Sequence, residues 1–165
     1  MEKYNQLIKK AKTFFESHQF ENANNCLQHI LKSFELDTDK KSNLYLLIAD
    51  INTKLNNFKE ANDYLLRYLK INPNTPKVLN LIANNFSKVQ QYKKAEEYYL
   101  KAINLKQDYD EALINLALLF DNLGKKKDAL NYYKKAITIN PNNLGVLFNM
   151  YKLENKTLND KKISS

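Results

Sequence analysis

DEALINLALLFDNLGKKKDALNYYKKAITINPNN, residues 110–143, reads as two amphipathic helices folded back on each other. In the first half Ala112, Leu113, Leu116, Ala117 and Phe120 recur at helical spacing and so share one face. Asp110 and Glu111 fall in the first turn, where the positive end of the helix dipole favours acids. Leu123-Gly124-Lys125 predicts the end of this helix, because glycine enters the left-handed region without steric penalty. The second half carries Ala129, Tyr133, Ala136 and Ile137 on one face. Asn140-Pro141 then stops it, since proline lacks an N–H and restrains its predecessor. Such a hairpin has two apolar faces and cannot bury both alone.

Outward from this unit the same marks repeat. Ala129 is preceded by Ala95 and Ala61 at a fixed interval (129 − 95 = 34; 95 − 61 = 34), and by Ala23 at a longer one (61 − 23 = 38). A second series, Ala11, Ala49, Ala83 and Ala117, stands twelve residues upstream of the first (129 − 117 = 12). Helices that cross closely need a small side chain at the contact, so Ala117 and Ala129 are predicted to meet where the hairpin closes. The pairs Tyr98-Tyr99 and Tyr132-Tyr133 recur one period apart and read as packing residues. The four extra residues of the first interval fall near positions 34–41, where ELDTDKK is polar and turn-like, and are expected to lengthen a loop. After residue 143 a fifth first-helix begins, with Leu147 and Met150 in register but Tyr151 at the small position and Glu154 at the aromatic one. A capping helix over 144–155 and a polar tail over 156–165, disordered or a linker, are expected there.

The pattern resembles the tetratricopeptide repeat, whose signature runs from a large residue through Leu-Gly, an aromatic, Ala, an aromatic and Ala to Pro. Those positions read Leu113, Leu116-Ala117, Phe120, Ala129, Tyr133, Ala136 and Pro141. The preceding copy reads Leu79, Ile82-Ala83, Phe86, Ala95, Tyr99 and Ala102, with Gln107 in place of proline. Before it stand Tyr45, Ile48-Ala49, Ala61, Leu65, Tyr68 and Pro73, with Asn52 replacing the aromatic. The first copy reads Leu7, Ala11, Phe14, Ala23, Leu27 and Ile30. The resemblance implies an all-α fold, a right-handed α-solenoid of antiparallel helix hairpins. Its repeats would cover about 4–37, 42–75, 76–109 and 110–143 within a domain at 1–155.

Composition narrows the function. The chain has 165 residues, 44% hydrophobic and 27% charged, as in ordinary globular proteins. Two glycines and three prolines suit helices with short connections rather than many tight β-turns. The longest uncharged apolar run, Leu44 to Ala49, is too short to cross a bilayer, so no membrane contact is expected. MEKYNQLIKKAK shows no secretory leader, which points to the cytoplasm. The single cysteine excludes an internal disulfide, and Cys26 with His29 supplies only two of the three or four ligands of a zinc site. His18 reads as a turn residue. The net charge of +8 raises nucleic acid as a partner, but the lysines are spread over all repeats and only one of the 26 basic residues is arginine. Solvated helix faces account for them better. There is no phosphate loop, metal motif or nucleophile with a neighbouring base, and Glu96-Glu97 and Asp110-Glu111 fall on solvated faces or first turns. No catalytic activity, cofactor or metal is expected.

What remains is what the resemblance implies. In tetratricopeptide proteins the first helices of successive repeats line a concave groove that takes an extended peptide or a partner helix. The side chains beside the packing positions are Lys9, Lys12, Asn43, Asp50, Lys77, Asn80, Asn84, Asn115, Asn122, Asn149 and Lys152, interspersed with Leu47, Leu81 and Leu118. An asparagine amide both donates and accepts, so it can grip a peptide backbone without reading its sequence. The family's carboxylate clamp of lysines, asparagines and an arginine would fall on Asn80, Asn84, Asn115, Gly145 and Asn149. The lysines and arginine are missing, so no clamp is expected. The leading expectation is a non-catalytic scaffold for a protein or peptide partner. The alternatives are the substrate-recognition arm of a larger glycosyl- or sulfotransferase, and nucleic-acid binding through lysines. Neither the partner nor the oligomeric state is encoded legibly.

Overall fold

The computed structural model describes residues 2–163, and side chains over 2–155. Nine helices account for the described residues: α1 (Glu2–Glu16), α2 (Phe20–Ser33), α3 (Thr38–Lys54), α4 (Phe58–Ile71), α5 (Pro76–Lys88), α6 (Tyr92–Leu105), α7 (Asp110–Asn122), α8 (Lys126–Ile139) and α9 (Leu144–Ile163). Each of α1, α3, α5 and α7 packs most heavily on the even-numbered helix that follows it, and that second helix packs on the next first helix. Four hairpins therefore stack in chain order, with α9 on the last.

One device closes every hairpin. The N–H groups of Gln19, Asn57, Gln91 and Lys125 donate to the carbonyls of Phe14, Asn52, Phe86 and Phe120, five residues back, at 2.8–2.9 Å. The intervening His18, Asn56, Gln90 and Gly124 have φ of 61°, 60°, 60° and 73° and donate to Phe15, Thr53, Ser87 and Asp121. This pair of bonds is the Schellman ending of a helix, and its left-handed residue is normally glycine. Only Gly124 is one here. His18 is a turn residue, and a strained one.

Two boundaries differ from the sequence expectation. The connections between hairpins span 34–37, 72–75 and 106–109, so the first is no longer than the others. The four extra residues instead lengthen α3, which has 17 residues where α5 and α7 have 13. The polar segment starts a helix because Asp37 caps it: Oδ1 accepts from the Lys40 N–H at 2.8 Å, and Oδ2 meets the Lys40 ammonium at 2.6 Å. That pairing draws the Asp37 carboxyl below its ordinary pKa. At the other end α9 runs on to Ile163, so 156–163 is helix rather than a loose tail. No glycine or proline interrupts KTLNDKKI. The last two residues of the expected tail lie outside the described residues.

The core follows the alanine ladder. All eight alanines of the two series are buried, none more than 3% exposed. Ala117 and Ala129 share one cluster with Ala83, Ala95, Tyr99 and Tyr133. Tyr98 and Tyr132 pack at the edge of that cluster, with ring centroids 5.6 Å from Phe86 and Phe120. On the second helices Arg67, Lys101 and Lys135 lie over the rings of Tyr64, Tyr98 and Tyr132, one period apart. Cys26 packs half-buried on the N-terminal cluster, and His29 meets the Ser33 hydroxyl.

Where Asn52 replaces the aromatic it is buried, and its amide donates to the Ile48 carbonyl at 2.8 Å and to Asn24 at 3.3 Å. A second buried pair, Asn85 to Asn62 at 2.9 Å, joins α5 to α4. Buried amides are tolerated here because each finds a partner. At the C-terminal end α9 buries Val146 and Leu153 but leaves Leu144, Phe148 and Tyr151 exposed.

Candidate functional site

The ladder register assigns the groove side chains to rows. With the four-residue insertion included (9 + 38 = 47), Lys9, Leu47, Leu81, Asn115 and Asn149 occupy one position, and Lys12, Asp50, Asn84, Leu118 and Lys152 another. These are positions of the first helices α1, α3, α5, α7 and α9. Leu47, Leu81 and Leu118 are 49%, 37% and 37% exposed, and all three stand on the first helices.

Three depressions follow one another along these helices. The first, about 290 Å³, lies between α1 and α3 and is lined by Ile8, Ala11, Lys12, Phe15, Leu47 and Ile51. The second, about 460 Å³, lies between α3 and α5 and includes Leu47, Asp50, Lys77 and Leu81. The third, about 460 Å³, lies between α5 and α7 and includes Leu81, Asn84, Lys88, Asn115, Leu118 and Asn122. Leu47 belongs to the first two and Leu81 to the last two, so the depressions form one continuous trough. Its surface passes from almost wholly apolar at α1 to amide-rich at α7.

The amide end is internally ordered. The Tyr99 hydroxyl donates to Asn84 Oδ1 at 2.6 Å. Asn115 Nδ2 donates to Asn84 Oδ1 and to Asn80 Oδ1, both at 3.2 Å. Asn80 Nδ2 donates to Glu111 Oε1 at 3.0 Å, and the Tyr109 hydroxyl to Glu111 Oε2 at 3.3 Å. Burial, reinforced by the Glu111 charge, holds the Tyr99 hydroxyl well above its ordinary pKa and pushes Tyr109 up to about 12. Both hydroxyls therefore stay protonated and donate at neutral pH. A donating Tyr99 fixes which atom of Asn84 is oxygen, and Asn84 in turn fixes Asn115. Asn84 Nδ2 and Asn115 Oδ1 are left without partners among the described residues, while both side chains line the third depression. One amide donor and one amide acceptor are thus left uncommitted among the described residues.

The sequence-derived residues separate accordingly. Asn84, Asn115 and Asn122 come together in the third depression, Asp50 and Lys77 in the second, and Lys12 in the first. Lys9, Asn43 and Lys152 are exposed but line none of them, and Asn149 is half-buried near Tyr133. Asn80 is corrected: it is wholly buried, and its amide is committed to Glu111 and Asn115, so it supports the groove instead of lining it. Glu111, an exposed acid in the first turn of α7, anchors the same network. Ile8, Phe15 and Ile51 were missed as groove residues because they look like core. The register relates Ile8 to Leu46 (46 − 8 = 38), which lines the second depression.

Among the described residues no three His, Cys, Asp or Glu side chains cluster as a metal site, and no helix is long and apolar enough to cross a membrane.

Models of the tetratricopeptide repeat match residues 42–75, 76–109 and 110–143. No curated protein matches the chain. Among solved structures the chain is similar to a tetratricopeptide repeat protein from Parabacteroides merdae ATCC 43184, with 18% identity and TM-score 0.86 over 96% of this chain and 62% of that one. It is also similar to YrrB, described as a TPR protein with an unusual peptide-binding site, with 17% identity and TM-score 0.72 over 84% and 69%. A third is the first TPR of Spaghetti (RPAP3), bound to the HSP90 peptide SRMEEVD, with 18% identity and TM-score 0.67 over 76% and 99%. Identities this low show the fold alone.

Proposed function

The chain belongs to the tetratricopeptide repeat family, and we propose that it is a non-catalytic scaffold, acting in the cytoplasm, that binds a protein segment in the trough along its first helices. The observation that carries this reading is the exposed row Leu47–Leu81–Asn115, running through all three depressions. Exposed leucines at 49% and 37% add nothing to the core and favour a covering partner. The ordered Asn84–Asn115 pair gives the same surface directional hydrogen bonds. YrrB and the first TPR of Spaghetti, both of this fold, are described with peptide sites.

The test compares proteins retained by the full chain with those retained by the double variant Leu47→Asp, Leu81→Asp and by the control Arg67→Asp on α4. Partners lost from the double variant and kept by the control support the trough. Partners kept by the double variant and lost from the control would refute it.

A further inference from the structure

The two ends of the solenoid present different surfaces to solvent. Among the described residues α1 and α2 expose no large apolar side chain. On α9, by contrast, Leu144, Leu147, Phe148 and Tyr151 are 78%, 40%, 62% and 66% exposed. The register identifies this face. Leu147, Tyr151 and Glu154 stand one period after Leu113, Ala117 and Phe120 (147 − 113 = 34; 151 − 117 = 34; 154 − 120 = 34). In α7 those three are buried, with the Phe120 ring against that of Tyr132 on α8. The exposed side of α9 is thus the side that the preceding first helix turns to its own second helix. A second helix of the repeat type fits poorly here. Ala117 and Ala129 are both small where α7 and α8 cross, whereas Tyr151 puts a ring at that position and holds a neighbour further off.

Charge indicates what does fit. Between Lys135 and Lys152 the chain has no charged residue, its longest such run, although its net charge is +8. Two copies of so basic a chain repel one another, and least where neither surface carries charge. An interface core is likewise depleted of charged residues and enriched in aromatic ones. A fully covered Phe or Tyr buries about 150–250 Å², so Phe148 and Tyr151 with the two leucines leave roughly 400–500 Å² of apolar area on one side of α9. That is about the largest patch an ordinary monomer shows. With a polar rim around it, it is the core of a contact of about 800 Å² per partner. We propose that α9 is a homodimer interface, its Leu144–Tyr151 face packing on the same face of a second copy about a two-fold axis. Stacking α9 on another copy's α1 would cover one apolar face and propagate without closing, whereas α9 on α9 covers both and stops at two. Each dimer then carries two troughs, so a partner with two binding segments gains from effective concentration. That gain rests on the trough reading; the interface does not.

Sedimentation equilibrium of the full chain over a concentration series tests this. A monomer–dimer equilibrium with no larger species is expected, and added salt should strengthen it by screening the repulsion between the two basic chains. Phe148→Asp and Phe148→Lys, each checked for an unchanged helical circular-dichroism spectrum, should each weaken the dimer about tenfold or more. Mixing these two variants should restore it, because opposite charges then meet in one interface. The control Leu105→Asp, at an exposed leucine on α6, should leave the dimer unchanged. A monomer at every concentration, or Phe148 variants that associate like the parent chain, would overturn the interface while leaving the trough untouched. A mixture no heavier than its separate components would show that α9 meets some other surface, and open-ended growth would refute the two-fold axis.

Discussion

Asn115 Nδ2 donates to Asn84 Oδ1 across 3.2 Å, tying α7 to α5, and the same oxygen accepts from the Tyr99 hydroxyl at 2.6 Å. One period along, the position of Asn84 is taken by Leu118 (84 + 34 = 118). The Tyr133 hydroxyl, equivalent to that of Tyr99, is buried beside Asn149 but has no partner in hydrogen-bond geometry. The two tyrosines should therefore respond oppositely to loss of the hydroxyl. Tyr99→Phe is expected to lower stability by about 0.5–1.5 kcal/mol, the net worth of a hydrogen bond. Tyr133→Phe should be neutral or stabilising, since it removes a buried group that has no acceptor. Urea unfolding of both variants checks the contrast, and equal losses would contradict it.

The turns make a second prediction. Gln90 has φ of 60°, and an L-residue in the left-handed region loses about 1–2 kcal/mol relative to its relaxed backbone. Gln90→Gly relieves that strain but adds freedom to the unfolded chain, so a net gain of about 0.5 kcal/mol is expected. Gly124→Ala should lose about 1 kcal/mol purely from backbone strain, because a Cβ there meets nothing within 4 Å. Thermal unfolding of the pair would show shifts of opposite sign.

The alanine ladder makes a third. Ala95 is fully buried against Ala83 and Tyr99, and its N–H donates to the Gln91 carbonyl at 3.0 Å. Ala95→Leu forces extra volume into the crossing of α5 and α6 and should lose about 1–3 kcal/mol or more. The control Leu105→Ala, on the exposed end of α6, should shift the denaturation midpoint far less.

Much of this was legible in the sequence, for a definable reason. Ala61, Ala95 and Ala129 fix a period, and a period specifies which faces must stack before any contact is known. Gly124 marked its turn because only glycine is indifferent there; Asn56 and Gln90 hid theirs, since the geometry comes from the helix ends and not from the residue. Asp37 looked like loop because polar residues favour both turns and caps, and only its bond to the Lys40 N–H distinguishes them. Asn80 and Asn84 are one helical turn apart and indistinguishable as letters, yet one is buried by Glu111 and Asn115 while the other lines the trough. That difference depends on the neighbouring repeat. It is a tertiary fact.

The buried hydroxyls predict an alkaline limit. Tyrosine ionises near 10 in an unfolded chain, and burial pushes Tyr109 and Tyr133 up to about 12, with Tyr99 shifted in the same direction. Between pH 10 and about 12 the folded chain therefore holds more protons than the unfolded one, and stability falls as pH rises through that window. Below pH 10 these groups are neutral in both states and contribute no slope. Tyrosinate absorbance should lag in the native protein and rise together with loss of helical signal. Full ionisation at about pH 10 with the helices intact would contradict the buried network.

The most direct test of the trough is a proton–nitrogen NMR titration of the full chain with one peptide recovered by display. The account predicts shifts at the side-chain amides of Asn84 and Asn115 and at the backbone amides of Leu47, Leu81 and Leu118, with the outer faces of the second helices α4, α6 and α8, at Arg67, Lys101 and Lys135, unmoved. Shifts confined to those second helices, or to the exposed Leu144, Phe148 and Tyr151 of α9, would contradict it.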